Sequence, residues 1–116
     1  MPSEENIIQK KGMDLCKEHA LVSEIYRTQS GKVKVRGGWM QLCPAGTPDT
    51  TGFTIDGRII GIEYKTPLEF DTKDHGASKD QLNHLNKIKS SGGVAGIAAS
   101  MDHVNAILQG EYIGLE

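Results

Sequence analysis

With 116 residues the chain has room for one domain and one modest hydrophobic core. Its 37% hydrophobic and 24% charged residues exclude a disordered chain, and no apolar run approaches the roughly 18–20 residues that a membrane span needs. A formal net charge of −2 offers no overall attraction to nucleic acid, so any such contact has to rest on local clusters: Lys32, Lys34 and Arg36 crowd one stretch, Lys79, Lys87 and Lys89 another.

The opening Met-Pro-Ser-Glu-Glu-Asn carries neither the basic region nor the apolar stretch of a secretory signal, so the expected compartment is the inside of the cell, its cytoplasm. Cys16 and Cys43 fit that expectation. No second Cys or His stands at zinc-ligand spacing from either, and both read as small apolar side chains.

The first predicted element is a helix from Ser3 to His19. Ser3 caps it, Glu4 and Glu5 sit in the first turn, and Ile8, Gly12, Leu15, Cys16 and His19 recur on one face. Ala20 to Thr28 reads as a strand, Gln29-Ser30-Gly31 as a turn, and Lys32 to Gly38 as a basic, glycine-containing stretch before extended Trp39 to Leu42. Pro44 to Pro48 is irregular. Phe53-Thr54-Ile55 and Arg58 to Lys65 flank Asp56-Gly57, a pair suited to a tight two-residue hairpin turn.

Pro67 closes that strand, and Leu68 to Gly76 reads as a polar loop. A helix from Ser78 to Ser90 buries Leu82, Leu85 and Ile88 and ends at Gly92-Gly93. Val94 to Ala99 is a wholly apolar strand covered on both faces. Asp102 caps a last helix reaching Gln109, and the tail from Glu111 carries no clear pattern. The predicted fold is α/β, a small mixed sheet flanked by helices in the order α-β-β-β-α-β-α.

Within Arg58 to Lys65, alternation puts Ile60, Ile62 and Tyr64 on one face and Ile59, Gly61, Glu63 and Lys65 on the other. A carboxylate and an ammonium end up side by side at the strand's C-terminal end, with Gly61 leaving space before them. Taken alone, such a pair also fits an exposed surface ion pair. Asp49 adds a second acid, because pairing around Asp56-Gly57 brings the start of one strand to the end of the next. Two neighbouring carboxylates repel unless a cation sits between them, and a hard divalent ion such as Mg²⁺ suits that place.

Pro48-Asp49 and Glu63-Tyr64-Lys65 resemble the signature of the PD-(D/E)XK nuclease superfamily. The wider string, from Gly46-Thr47-Pro48-Asp49 through Ile62 to Pro67 and Ser78-Lys79-Asp80-Gln81, with Gly92-Gly93-Val94-Ala95 downstream, is similar to the VRR-NUC family. The resemblance covers roughly 100 residues and implies a restriction-endonuclease-like fold. It implies Mg²⁺ or Mn²⁺ held by Asp49, Glu63 and the backbone carbonyl of Tyr64, with Lys65 as the catalytic lysine. A glutamate on the first helix is also implied. Glu5, with Ile8 and Gln9 after it, matches that pattern, and Glu4 stands as its rival. Gln81, explained on its own by a Ser-x-x-Gln capping box, becomes a further active-site residue. Arg27, Lys32, Lys34, Arg36 and Trp39 are candidates to track phosphates and stack on a base, or else form a solvated hairpin with an anchored Trp.

The function so implied is metal-dependent cleavage of DNA, branched DNA such as four-way junctions above all. A nicking or restriction-like endonuclease and a non-catalytic DNA-binding module are the alternatives. Junction cutting calls for two symmetry-related nicks, and so for a homodimer; Ile107, Leu108, Tyr112 and Ile113 are the apolar residues expected on its surface.

Overall fold

The computed structural model describes residues 3–28, 32–41 and 43–115, so the expected turn at Gln29-Ser30-Gly31 and the extended Leu42 lie outside the described residues. Helix α1 (Glu4–Glu18) begins where the Asn6 N–H donates to Ser3 Oγ, with Glu4 and Glu5 in the first turn. His19 closes it. Its Nδ1 accepts the Leu21 N–H at 3.1 Å, which leaves Nε2 to donate to Asn105 Oδ1 at 3.2 Å. The buried face of α1 is Gln9, Gly12, Met13 and Cys16, turned from the expected one so that Ile8 and Leu15 flank it.

Strands β1 (Val22–Arg27), β4 (Thr50–Thr54), β5 (Ile59–Tyr64) and β6 (Val94–Ala98) form one sheet in the order β1-β4-β5-β6. The first two pairings are antiparallel and β5–β6 is parallel, so the sheet is mixed. The β4–β5 turn has three residues rather than two: Thr54 N–H reaches Arg58 O, Gly57 N–H reaches Thr54 O, and Gly57 takes φ +86°. Strands β2 (Lys32–Val35) and β3 (Gly38–Gln41) pair only with each other. Their hairpin stands outside the main sheet, and among the described residues five strands precede the second helix where the predicted order has three.

The Leu68–Gly76 segment is more ordered than a loop. Helix α2 (Pro67–Phe70) starts in a capping box of Thr66 with Glu69, and a 3₁₀ turn spans Lys73–Gly76. The Phe70 ring stacks between His75 and His103. Helix α3 (Lys79–Ser90) follows, and helix α4 (Met101–Leu108) is capped by Ser100 rather than by Asp102, which lies in the first turn.

Helices α1 and α4 cover one face of the sheet over Ile60, Ile62, Tyr64, Val94 and Ala98; α3 covers the β5–β6 half of the other over Ala95 and Ile97. The chain is thus an α/β fold with helices on both sides of a mixed sheet. The C-terminal tail belongs to this body: Ile97 N–H donates to Ile113 O, and Tyr112 Oη donates to Gly93 O beneath the Lys89 ammonium. Ile107 and Leu108 are fully buried in the core and Ile113 packs against it, so these residues are not the surface of a dimer. Among the described residues no helix is long and apolar enough to cross a membrane.

Gly12 is where α1 meets Tyr64. A Cβ built there would stand 2.3 Å from the phenol oxygen and 2.4 Å from the ring. Elsewhere in a helix Gly→Ala stabilises by roughly 0.5–1 kcal/mol. Here Gly12→Ala is expected to destabilise by about 1–3 kcal/mol, the usual cost of overpacking. A urea denaturation midpoint that rises in this variant would contradict the packing.

Candidate active site

The segment before β4 is held rigidly. Thr47 returns both its N–H and its hydroxyl to Pro44 O, and Pro48 is fully buried. Gly46, at φ +84°, lies so close to α3 that a Cβ would come within 2.3 Å of Asp80 O. Gly61 likewise leaves room, and Pro48 and Ile88 fill it; the space expected beside Glu63 is taken by packing. Asp49 is thereby delivered to the end of β5. Its Oδ2 accepts the Tyr64 N–H at 2.8 Å, and its carbonyl accepts the Thr28 N–H at 2.8 Å. N–H and C=O of one extended residue leave the strand on the same side, so the Tyr64 carbonyl faces Asp49 too.

Glu63 and Lys65 are not an exposed pair: they are 2% and 9% accessible. Lys65 Nζ stands 3.8 Å from Glu63 Oε2, and Gln81 Nε2 donates to the same oxygen at 2.8 Å. The other end of the Gln81 amide accepts the Ser78 N–H, so one side chain both caps α3 and reaches the acid cluster. Glu63 Oε1 is buried with no hydrogen-bond partner. Asp49 lies close enough to Glu63 to share a proton with it.

The electrostatics follow from that crowding. Burial first, then the Asp49 charge, push the Glu63 carboxyl up to about 8, against the pull of Lys65. Burial also raises Asp49, opposed by the Tyr64 N–H, Lys65 and Arg27. Glu5, half-buried on α1, is raised by burial and by the charges of Asp49 and Glu69. It is therefore Glu5, not the exposed Glu4, that looks toward the cluster.

Asp49, Glu63, Tyr64, Lys65 and Gln81 are thus brought together, with Glu5 and Arg27 at the margin. The hairpin residues are apart from them. Lys34 and Arg36 are exposed, Lys32 opens β2, and Trp39 is 67% accessible rather than anchored. Glu69 is near the site without having been expected there, its charge acting on Glu5, and Thr66-Pro67-Leu68-Glu69 signals it as a capping box. Cys16 is a buried thiol pushed up to about 11 by desolvation, and Cys43 is a half-buried one.

Among the described residues no group of three or more His, Cys, Asp or Glu side chains is gathered as around a metal ion. Two carboxylates do meet, one with an unsatisfied oxygen, and a hard cation completed by water and phosphate needs no more than one or two. The donor set fits such an ion. No model of a known protein family matches the chain, and no curated protein matches it.

Glu63 holds its proton more tightly in the folded chain than in the unfolded one. Between pH about 4.5 and about 8 the folded state therefore carries the extra proton, and stability falls as pH rises through that window. Without divalent ions, thermal melts from pH 5 to 8 are expected to show this decline, and Glu63→Gln should flatten it. Asp49→Asn keeps an acceptor for the Tyr64 N–H while removing the repulsion, so it is expected to melt at or above the parent at pH 8. A clear drop for Asp49→Asn would make the acid structural.

Proposed function

We propose that the chain is a metal-dependent nuclease with a restriction-endonuclease-like fold, similar to the VRR-NUC family, that hydrolyses phosphodiester bonds in branched DNA. The observation that carries this reading is Glu63 Oε1, buried without a hydrogen-bond partner beside Asp49, while Gln81 and Lys65 take up the other oxygen of the same carboxylate. A structural ion pair has no use for an orphaned carboxylate oxygen, which is costly to bury. An oxygen ligand awaiting a cation has.

In this reading Asp49, Glu63 and the Tyr64 carbonyl hold Mg²⁺ or Mn²⁺, with Glu5 completing the acidic rim. When bound, the ion supplies Lewis-acid polarisation of a phosphoryl oxygen and a water acidic enough to ionise near neutrality. Gln81 fixes the Glu63 rotamer through its 2.8 Å bond. Lys65, held beside Glu63, orients the attacking water or offsets the charge that grows on the phosphate. The β2–β3 hairpin, with Lys34 and Trp39 opposite each other on one face and Arg36 at its tip, supplies phosphate contacts and a stacking ring. Arg27, whose charge lowers the proton affinity of Asp49, adds a cation at the margin of the acids.

Labelled linear, flapped and four-way DNA incubated with Mg²⁺ or Mn²⁺ should be cut, and EDTA should stop the reaction. Asp49→Asn, Glu63→Gln and Lys65→Ala are each expected to lose on the order of a hundredfold or more in rate. Gln81→Ala should lose roughly 10–100-fold, because it acts through Glu63. Full activity in EDTA, or an undiminished Glu63→Gln protein, would overturn the mechanism.

Junction cutting also calls for two active sites on one substrate, and hence a two-fold homodimer. With Ile107 and Leu108 interior, the surface offered for it is the part of the sheet that α3 leaves uncovered, where Tyr26, Phe53 and Ile59 are exposed. Light scattering is expected to give roughly 25 kDa, twice the 12.6 kDa chain. A monomer at micromolar concentration that cuts junctions no better than linear duplex would remove the dimer and the junction preference together.

A further inference from the structure

Away from the acids, a groove of about 440 Å³ between α1 and the end of β1 has no role in the site described above. Gln9, Lys10, Met13, Asp14, Lys17 and Arg27 are among the residues that line it. Glu5, Gln9, Met13 and Lys17 follow one another at four-residue steps, so they form a single ridge along the helix. That ridge starts at the acid cluster, which Glu5 faces, and ends roughly 18 Å away at Lys17, at about 1.5 Å per residue. Arg27 lines the groove and is near enough to Asp49 to lower its proton affinity, so this residue links groove and acid site.

Two observations point to a ligand. Gln9 is 7% exposed, lines the groove, and its amide makes no hydrogen bond to any described residue. The amide is open to the groove, so its donors and its acceptor are available to a ligand lying there. The groove's charge is also one-sided. Asp14 is its one carboxylate and is taken up by Lys10 at 3.2 Å, whereas neither Lys17 nor Arg27 forms an ion pair with a described residue. In a chain of net charge −2, this concentrates positive charge on a path that leads away from two acids.

We propose that the α1–β1 groove binds the sugar-phosphate backbone of the nucleic-acid strand that runs off the acid site. Lys10, Lys17 and Arg27 meet its phosphates, and the Gln9 amide takes a phosphate or sugar oxygen next to the cleaved bond. This rests on the nuclease reading above and adds a second track to it, on the opposite side of β1 from the hairpin's sequence. An acidic protein segment is the rival occupant, and a strand leaving a phosphodiester-cutting site is the one that has to pass here.

The experiment measures binding, not turnover. Glu63→Gln protein is titrated with a fluorescent single-stranded oligonucleotide at several salt concentrations, and polyglutamate is tried as a competitor. Adding Lys10→Ala and Lys17→Ala is expected to weaken binding about tenfold at low salt and to reduce the slope of log K against log salt by roughly 0.7 for each phosphate no longer neutralised. Gln9→Leu, which keeps the packing, should weaken binding several-fold and leave the salt slope alone. Thermal melts confirm that these substitutions leave the fold intact. Wild-type affinity and slope in the double lysine variant would overturn the groove, as would competition by polyglutamate at equal charge. If the unmodified protein cuts DNA while the groove variants bind normally, the groove alone fails. If binding depends on the groove but nothing is cut, the nuclease reading fails and the groove stands. Absence of both binding and cutting removes both.

Discussion

The hydrogen bond from the Tyr64 peptide to Asp49 Oδ2 is the constraint on which the site depends. It fastens an irregular segment to the last residue of a central strand, at the point where β5 stops pairing with β4 and continues beside β6. Pro48, buried against Gly61 and Ile88, allows the segment no alternative path. The result is that a second carboxylate is forced against Glu63 in a place with little water. Burial and like charge both oppose that arrangement, and the neighbours read as its compensation: the Tyr64 N–H, the Gln81 amide, the Lys65 ammonium and the more distant Arg27. A cluster satisfied in all respects but one oxygen is suited to an ion or a proton rather than to static stability.

Most of this is legible in the chain, and the reasons are local. Period-two alternation puts Glu63 and Lys65 on one face whatever the rest of the fold does, and the turn glycine at position 57 brings Asp49 to them even though the turn has three residues. Ser78 and Gln81 announce a helix start, and the amide's reach to Glu63 needs only the fold's help. What stays hidden depends on partners distant in sequence. The inner face of α1 is set by the Tyr64 ring pressing on Gly12, which shifts burial from Leu15 toward Met13. The tail's place is decided by the free edge of β6. Two other departures have local causes: Thr66-Pro67-Leu68-Glu69 states a helix start as plainly as Ser78 does, and Ser100 outcompetes Asp102 as the cap of α4.

The β2–β3 hairpin is set apart from the elements that stabilise the sheet. It is inserted between β1 and β4, two strands that pair directly, so the sheet closes without it. Its side chains Val35, Trp39 and Met40 are exposed large apolar groups, which the body of the protein has no need to bury. An element in that position can change in length and composition with small effect on the core, while remaining tethered beside Thr28 and Asp49.

Gln81 gives the fold a mechanical link between its centre and its surface. Its carbonyl oxygen holds the first turn of α3 and its nitrogen holds Glu63, so the two ends of one amide cannot be optimised separately. Whatever draws the Glu63 carboxylate away from Gln81 also loosens the cap at Ser78, and a frayed first turn lets the carboxylate wander. The opening turn of α3 thus acts as a gauge of the acid cluster, reporting in its backbone protection what happens at a buried side chain one layer below.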